Sequence, residues 1–334
     1  MSIPGPYTSK EVASLASGAQ FWGKYMVAEK NQRKTRNGRD IINLRLADSS
    51  GSIEVVVWDN CQVQGDLHKG VVIGMQADTS LYNNRQQITA KRIKILDENP
   101  SAYLLAAPVP RETLMAELKQ AVESIADPHL SFLLQTILTP QCIADFSTTP
   151  AAKRIHHNYM GGLLEHTLAV VKLCQHAAQL YPELNRDLLV AGAILHDIGK
   201  MKEYELQVVP EYTLEGKLLG HIVMGYQLVD QAVQKMRAEG YDFPPMLENM
   251  IKHLVLSHHG SLEYGSPVKP LFPEAFLLHV MDNLDAKMFV YFEKMAQTEN
   301  VEQYVTPYDS FHQQQFFTYR YRQEMPPDPD GKPE

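Results

Sequence analysis

The sequence predicts a two-domain α+β protein, in which a small five-stranded β-barrel is followed by an all-α domain. Apolar residues alternate with polar ones between about residues 20 and 96, which is the period of half-buried strands. Beyond about residue 112 they recur at the spacing of helices. Between these regions, residues 98–111 hold three prolines and no sustained period, which indicates a linker.

Composition excludes several classes of protein. With 44% apolar and 21% charged residues, the 334-residue chain can bury a core. No apolar run approaches the roughly eighteen residues of a membrane span. The first ten residues lack a signal-peptide pattern, and three cysteines at wide spacings suit a reducing compartment. We therefore expect a cytoplasmic protein without a disulfide framework.

Charge is distributed unevenly along the chain. The first hundred residues hold 13 basic and 10 acidic side chains, a net charge of +3, and the remaining 18 basic and 29 acidic residues give −11. An acidic domain that acts on an anionic substrate would need bound cations to reverse its field.

Five strands are expected in the first domain. Turn-forming residues at 48–51 separate two alternating stretches, which predicts a hairpin. Residues 59–68 leave room for a short helix after the third strand, and that element order is typical of an OB-type barrel. The expected strands lie around Tyr25 and Val27, and at about 42–46, 53–57, 71–78 and 86–96.

These patterns divide the chain into five parts. Four prolines within the last ten residues predict a disordered tail. The expected parts are an N-terminal extension at 1–18, the barrel at 19–97, the linker at 98–111, the helical domain at 112–323 and the tail at 324–334.

Histidines and aspartates recur along the helical domain. His196 and Asp197 lie near the end of an apolar stretch, where burying a carboxylate is unfavourable unless something compensates its charge. A divalent cation would bind both groups and compensate it. Taken singly, each candidate has a structural alternative, as a hydrogen-bonded helix histidine, an imidazole at a helix C-terminus or a paired aspartate. The other candidates are His166, His221, His258, His259 and Asp282.

The order His, His-Asp, His, His-His, Asp over residues 150–290 resembles the HD phosphohydrolase superfamily. The core of that superfamily is the first histidine, the His-Asp doublet and the final aspartate, and further histidines characterise its members with two or more metals. The resemblance implies metal ligands at His166, His196, Asp197, His221, His258, His259 and Asp282.

Longer segments narrow the resemblance to the YhaM-type 3′→5′ exoribonucleases, which join an N-terminal OB-fold to a C-terminal HD domain. These segments are HHNYMGGLLEHT at 156–167, SHHG at 257–260, GSPV at 265–268 and DNLDA at 282–286. The resemblance covers about residues 20–300. It implies a metal-dependent exonuclease that releases nucleoside 5′-monophosphates from single-stranded RNA, and leaves single-stranded DNA open as a further substrate.

The donor set bears on the metal and on catalysis. Imidazole and carboxylate ligands without thiolate favour manganese, with cobalt, iron or magnesium as alternatives. Two ions about 3.5–4 Å apart can activate water and stabilise both the attacking and the leaving oxygen at a phosphorus centre.

Asp197 and Lys200 are the candidate catalytic residues. Lys200 would hold the phosphate, with helix capping as the alternative. His156 and His157 are candidates for the substrate entrance, with a structural role as the alternative.

A basic stretch between the first two expected strands predicts contact with nucleic acid. OB-folds often carry a binding loop there, and cations interleaved with aromatic residues suit single strands. The alternative is a solvated loop. The candidate residues are Lys30, Arg33, Lys34, Arg36 and Arg39.

Three functions remain open at this level. The first is the exonuclease, the second an HD-domain phosphohydrolase of nucleotides or a cyclic dinucleotide, and the third a single-stranded nucleic-acid-binding protein with an inactive HD domain. The expected partner is single-stranded RNA or DNA and not a membrane, and a homo-oligomer is compatible with the sequence.

Overall fold

The computed structural model describes residues 3–34, 38, 40–82, 85–103, 109–151, 159–205, 211–297, 304–309 and 312–319. Within these residues one hydrophobic core lies inside a barrel and another lies among helices. The predicted order, a five-stranded OB-type barrel followed by a helical domain, is confirmed. Among these residues, none of the helices could cross a bilayer.

Five strands close the N-terminal barrel in the order β1-β2-β3-β5-β4. Strands β3 and β5 run parallel, and the other neighbours are antiparallel. A register shift between Val27 and Glu29 lets the long first strand pair with β4 before the shift and with β2 on both sides of it. The strands are β1 (Gln20–Lys34), β2 (Asp40–Asp48), β3 (Gly51–Gln64), β4 (Val72–Tyr82) and β5 (Arg85–Leu96).

A short helix from the predicted N-terminal extension packs against this barrel. Helix α1 (Ser9–Ala13) is capped by Thr8, and its Val12 is fully buried in the barrel core. The Ser9 N–H donates to Asp48 Oδ2 over 2.6 Å. The described part of residues 1–18 therefore belongs to the barrel unit.

The helix expected at 59–68 is absent, and that prediction is wrong for these described residues. Strand β3 continues to Gln64 because residues 62–64 pair with residues 92–94 of β5. This pairing joins residues about thirty positions apart, so the local pattern carried no sign of it.

The basic stretch lies on a strand and not in a loop. Lys30, Arg33 and Lys34 are exposed residues of β1, and Arg33 and Lys34 pair with Ile41 and Asp40 of β2. The β1–β2 hairpin is thus longer than the apolar alternation indicated. The two remaining candidates, Arg36 and Arg39, lie outside the described residues.

The second domain contains nine helices among its described residues. Helix α6 lies at its centre, because every residue from 188 to 195 is buried. The helices are α2 (Arg111–Glu123), α3 (Pro128–Ile137), α4 (Pro140–Phe146), α5 (Gly162–Leu180), α6 (Arg186–Leu195), α7 (Lys200–Glu203), α8 (Leu214–Ala238), α9 (Pro245–Ser257) and α10 (Pro273–Gln297).

The helical domain also contains a very short ribbon of strands. Strands β6 (Tyr204–Glu205) and β7 (Glu211–Tyr212) form a two-stranded ribbon between α7 and α8. Strands of two residues have no alternation to detect. The predicted tail at 324–334 lies outside the described residues.

Candidate metal centre

The seven candidate ligands lie on five segments that the fold brings together. Because residues 188–195 of α6 are all buried, the turn that follows this helix starts in the interior of the domain, and Asp197 is only 2% exposed. His166 lies on α5, His196 and Asp197 follow α6, His221 lies within α8, His258 and His259 follow α9, and Asp282 lies on α10.

An interruption of α8 precedes His221. Gly220 has φ 73° and ψ 158°, a conformation open essentially only to glycine. The N–H of His221 therefore has no helical acceptor and donates to Glu203 Oε1 over 3.0 Å. The sequence signal for this feature is the glycine directly before the histidine.

The turn after α6 touches α8 backbone to backbone. A Cβ atom at Gly199 would lie 2.0 Å from the carbonyl oxygen of His221 and 2.6 Å from the backbone nitrogen of Gly225. The missing side chain at position 199 thus allows Asp197 and His221 to approach each other.

A first group of ligand atoms surrounds one side of Asp197. His166 Nε2 lies 3.4 Å from His196 Nε2 and 3.1 Å from Asp282 Oδ1. His196 Nε2 lies 3.3 Å from Asp197 Oδ2. One atom from each of His166, His196 and Asp197 falls within 4.8 Å of the others, close enough to share one ion.

A second group surrounds the other oxygen of the same carboxylate. Asp197 Oδ1 lies 3.4 Å from His221 Nε2 and 3.5 Å from His258 Nε2. His259 completes this group, whose four ligand atoms all lie within 4.8 Å of one another. Asp197 therefore belongs to both groups, one oxygen facing each.

Every histidine of the two groups has an oxygen acceptor at Nδ1. Because carboxylate and carbonyl oxygens only accept, each Nδ1 must donate, so Nε2 is the nitrogen that would bind a metal. Burial lowers the pKa of His166, but its hydrogen bonds to Asp282 and Asp285 raise it to about 9, so this histidine must give up its Nε2 proton when a cation binds. The pairs are His166 with Asp285 Oδ2 (2.7 Å), His196 with the Ala193 carbonyl (2.8 Å), His221 with Glu203 Oε1 (3.2 Å), His258 with the Val255 carbonyl (2.7 Å) and His259 with the Tyr264 carbonyl (2.6 Å).

Three polar atoms of this centre are buried without a hydrogen-bond partner: Asp197 Oδ1, His221 Nε2 and His258 Nε2. Leaving such an atom unsatisfied costs about 1–3 kcal/mol, and more for a charged group. A cation between them would satisfy all three. The residues present therefore fit divalent metal ions, and we expect such ions to bind here.

The electrostatics of the centre also suit a cation. Burial lowers the pKa of His259 to about 4, and burial lowers that of His258 as well. Burial would raise the pKa of Asp197 and of Asp282, but Lys200 at the first and His166 at the second outweigh it and hold both below their ordinary value. Near neutral pH these four side chains are thus in the forms that bind metals.

The Lys200 ammonium contacts the centre. Lys200 is the first residue of the short helix α7, four residues after His196, the C-cap of α6. Its ammonium group is buried, and Nζ donates to Asp197 Oδ2 over 2.6 Å. This contact places a positive charge beside the carboxylate that both groups share.

Three side chains outside the predicted ligand set position the ligands. Asp285 and Glu203 accept the Nδ1–H of His166 and His221, and the His279 Nδ1–H donates to the carbonyl of His258 over 2.8 Å. His279 and Asp285 had a signal, since they lie one helical turn before and one turn after Asp282. Glu203 had none.

The remaining predicted site residues lie apart from this cluster or beyond the described chain. His156 and His157, the candidates for the entrance, lie outside the described residues. On the barrel, the Lys30 ammonium donates to the Leu67 carbonyl over 2.7 Å, while Arg33 and Lys34 are exposed on the same strand.

Family models match both domains. The model described as HD domain matches residues 163–287, a range that contains all seven clustered residues. The model described as OB-fold nucleic acid binding domain matches residues 26–96.

The chain is also similar to characterised proteins over most of its length. It is 34% identical to 3′-5′ exoribonuclease YhaM of Bacillus velezensis, over 82% of this chain and 87% of that protein. It is 35% identical to 3′-5′ exoribonuclease YhaM of Oceanobacillus iheyensis, over 83% of this chain and 87% of that protein. Among solved structures, the chain matches the second OB-fold domain of replication protein A from Methanococcus maripaludis at 19% identity and a TM-score of 0.21. The match covers 28% of this chain and 96% of that domain.

Proposed function

The chain belongs to the YhaM family of 3′-5′ exoribonucleases, and on that premise we propose that it degrades single-stranded RNA from the 3′ end with two bound divalent cations. The products are nucleoside 5′-monophosphates, and single-stranded DNA is a second substrate. Manganese is the proposed ion, because the donors are imidazole and carboxylate without thiolate.

The observation that carries this proposal is the shared carboxylate of Asp197. Its two oxygens face two groups of ligand atoms, and Oδ1 is buried without a hydrogen bond. A single cation would leave one group unused. The arrangement supports a two-metal centre of the kind that displaces an oxygen at phosphorus.

The ligands of the centre fall into two sets, one for each proposed cation. His166, His196 and Asp282 would hold one cation, and His221, His258 and His259 the other, with Asp197 between them. When bound, the cations would supply Lewis-acid activation of the phosphate and of the attacking water. They would also reverse the field of the acidic domain, so that a phosphate can enter.

Lys200 has a separate part in this mechanism. Lys200 is 7% exposed and its ammonium pairs with Asp197 Oδ2, so this charge already lies at the edge of the proposed metal pair. We assign it to the scissile phosphate, where a fixed positive charge stabilises the charge that develops as the bond breaks. Such a preorganised donor contributes about 10²–10³-fold to the rate.

The barrel would hold the strand that the centre degrades. Lys30, Arg33 and Lys34 carry positive charge along β1, and Arg36 and Arg39 follow in the sequence. Cations along a groove bind the backbone of a single strand without sequence preference. The proposal keeps a cytoplasmic location, which the free thiols of Cys61, Cys142 and Cys174 suit.

The test uses 5′-labelled single-stranded RNA and DNA incubated with Mn²⁺, with the product ladder read over time. We expect progressive shortening from the 3′ end, and its loss in Asp197→Ala, because that change removes a ligand from both groups. Asp242→Asn is the matched control, since Asp242 is an exposed acidic residue of the loop between α8 and α9.

Three outcomes would contradict the proposal. Shortening that persists undiminished in Asp197→Ala would reject the site. Hydrolysis of free nucleotides or a cyclic dinucleotide, with oligonucleotides left intact, would favour a small-molecule phosphohydrolase. Purified protein that binds RNA and neither holds metal nor cleaves would be a binding protein with an inactive domain.

A further inference from the structure

Three aromatic rings lie exposed together near the end of the described chain. Tyr304, Phe317 and Tyr319 are 44%, 62% and 46% exposed. Their ring centroids are separated by 5.0 Å (Tyr304 to Tyr319), 6.1 Å (Phe317 to Tyr319) and 6.3 Å (Tyr304 to Phe317). We refer to these three residues as the aromatic platform. Neither family model extends to it.

The platform is held in place by its own backbone. Val305 and Phe317 form an antiparallel bridge, and the Thr318 N–H donates to the Tyr304 carbonyl over 2.8 Å. Phe316 points the other way and is 1% exposed, with its ring 5.1 Å from that of Tyr291 on α10. A surface fixed by hydrogen bonds and a buried anchor loses little entropy when it binds a ligand.

A second contact fixes the same segment to α10. Lys294 pairs with Asp309 over 2.9 Å, and the Gln314 amide donates to the Tyr291 hydroxyl over 3.2 Å. Tyr291 follows Asp282 by nine residues on one helix, a rise of about 13.5 Å. The segment that carries the platform is therefore joined to the helix that carries a proposed metal ligand.

The charge of one barrel residue acts on α10 beside this segment. Burial raises the pKa of Glu293, and the charges of Lys294, His312 and Arg45 oppose that rise. Arg45 belongs to β2 of the barrel and His312 to the C-terminal segment.

The chemistry of the platform suits unpaired bases. Exposed aromatic rings offer flat faces on which bases stack, whatever their identity. Arg320, Tyr321 and Arg322 come next in the sequence and lie outside the described residues. In the sequence, aromatic and cationic residues thus alternate, a composition typical of proteins that bind single strands. Arginine adds charge that complements phosphate.

On the premise of the function proposed above, we propose that the aromatic platform stacks bases of the substrate strand upstream of the 3′ end in the metal centre. It is a binding site separate from the barrel and from the metal ligands. Its role is to retain the strand between successive cleavages, so it acts on affinity for oligonucleotides and not on the hydrolytic step.

The test measures binding of a short 5′-fluorescent single-stranded RNA by anisotropy in EDTA, where no cleavage occurs. We expect Phe317→Ala and Tyr319→Ala each to weaken binding at least about fivefold, since one stacked base contributes on the order of 1–3 kcal/mol. Tyr319→Phe is the matched control, because it keeps the ring and removes only the hydroxyl; its affinity should equal that of the parent.

A second measurement separates this site from the metal centre. Hydrolysis of bis(p-nitrophenyl) phosphate with Mn²⁺ needs no strand, so it should be equal in all variants. If the parent protein does not hydrolyse this substrate, the proposed function is rejected. A lower RNA affinity of the alanine variants in the anisotropy assay would still support the platform. Unchanged RNA affinity in both alanine variants would overturn the platform.

Folding and self-association are controlled in the same series. Tyr319→Leu keeps an apolar side chain for packing and removes the stacking face, so it should bind RNA as weakly as Tyr319→Ala while the melting temperature stays at the parent value. Variants that change the sedimentation coefficient and leave RNA affinity unchanged would show that the rings join two copies of the chain, which also overturns the proposal.

Discussion

Replacing Gly199 by alanine tests how the centre is assembled. The new Cβ atom would lie 2.0 Å from the His221 carbonyl oxygen, and ordinary contact begins at 3.4 Å, so the two segments must separate by about 1.4 Å. Gly199 has φ −62°, which alanine adopts without strain, and the effect is therefore steric.

The displacement falls on the second group of ligands. His221 Nε2 now lies 3.4 Å from Asp197 Oδ1, and moving its backbone by more than an ångström would separate these atoms. A misplacement of about 1 Å can lower a rate about 100-fold. We expect the Gly199→Ala variant to shorten RNA at least about 100-fold more slowly than the parent. It should keep the ion of the first ligand group and lose the ion of the second ligand group.

The assay combines metal content per chain, exonuclease rate and thermal unfolding. Gly192→Ala is the matched control on the preceding helix, because the three atoms nearest to its Cβ atom would all belong to the side chain of Leu254, the first at 2.6 Å. That variant should lose about 1–3 kcal/mol of stability through overpacking and keep its rate per folded molecule. If Gly199→Ala retained two tightly bound ions and the parent rate, the backbone contact would not control the site.

Two further predictions concern the carboxylates around the centre and in the second domain. Asp285→Asn should weaken metal binding about 10–100-fold in the first group only, and Glu203→Gln should do so in the second group only, because each carboxylate orients one histidine. Titration with Mn²⁺, followed by electron paramagnetic resonance, measures the affinity of each group. Equal loss of affinity at both groups would argue against separate roles. Glu248 is held by Lys252 and Arg237, each over 2.5 Å, and although burial raises its pKa these cations bring it below the ordinary 4.5. Its contribution to stability is therefore complete above about pH 4.5 and is lost as the pH falls below that value. Glu248→Gln should therefore make the free energy of unfolding depend less on pH in the acid range. Urea unfolding at several pH values measures this.

Much of the fold could be predicted because strands and helices leave local periods in the sequence. Alternation over 42–46 and 53–57 corresponds to β2 and β3, and the helical spacing at 246–258 to α9. The helix expected at 59–68 failed because β3 is extended by pairing with β5, a contact that no local window contains. The ribbon of β6 and β7 is too short to carry a period.

The candidate ligands could be named because their residue types are unusual in apolar helices. His196 and Asp197 in a buried run demand a compensating group, whatever the fold around them. The partners that orient them could not be named, since His166 and Asp285 are 119 residues apart and meet only in the folded chain. Glu203 next to β6 carried no pattern at all.

The sequence alone determined the order of the two domains and the residue types available to bind cations, because periodicity and side-chain chemistry are properties of the chain itself. Only the tertiary structure decided that the two oxygens of Asp197 face different groups, and that the Lys200 ammonium lies against one of them. Those positions depend on the packing of five separate segments and on a backbone contact at Gly199 that has no room for a side chain. Distances between segments are set by packing across the whole domain, and a linear sequence does not contain them.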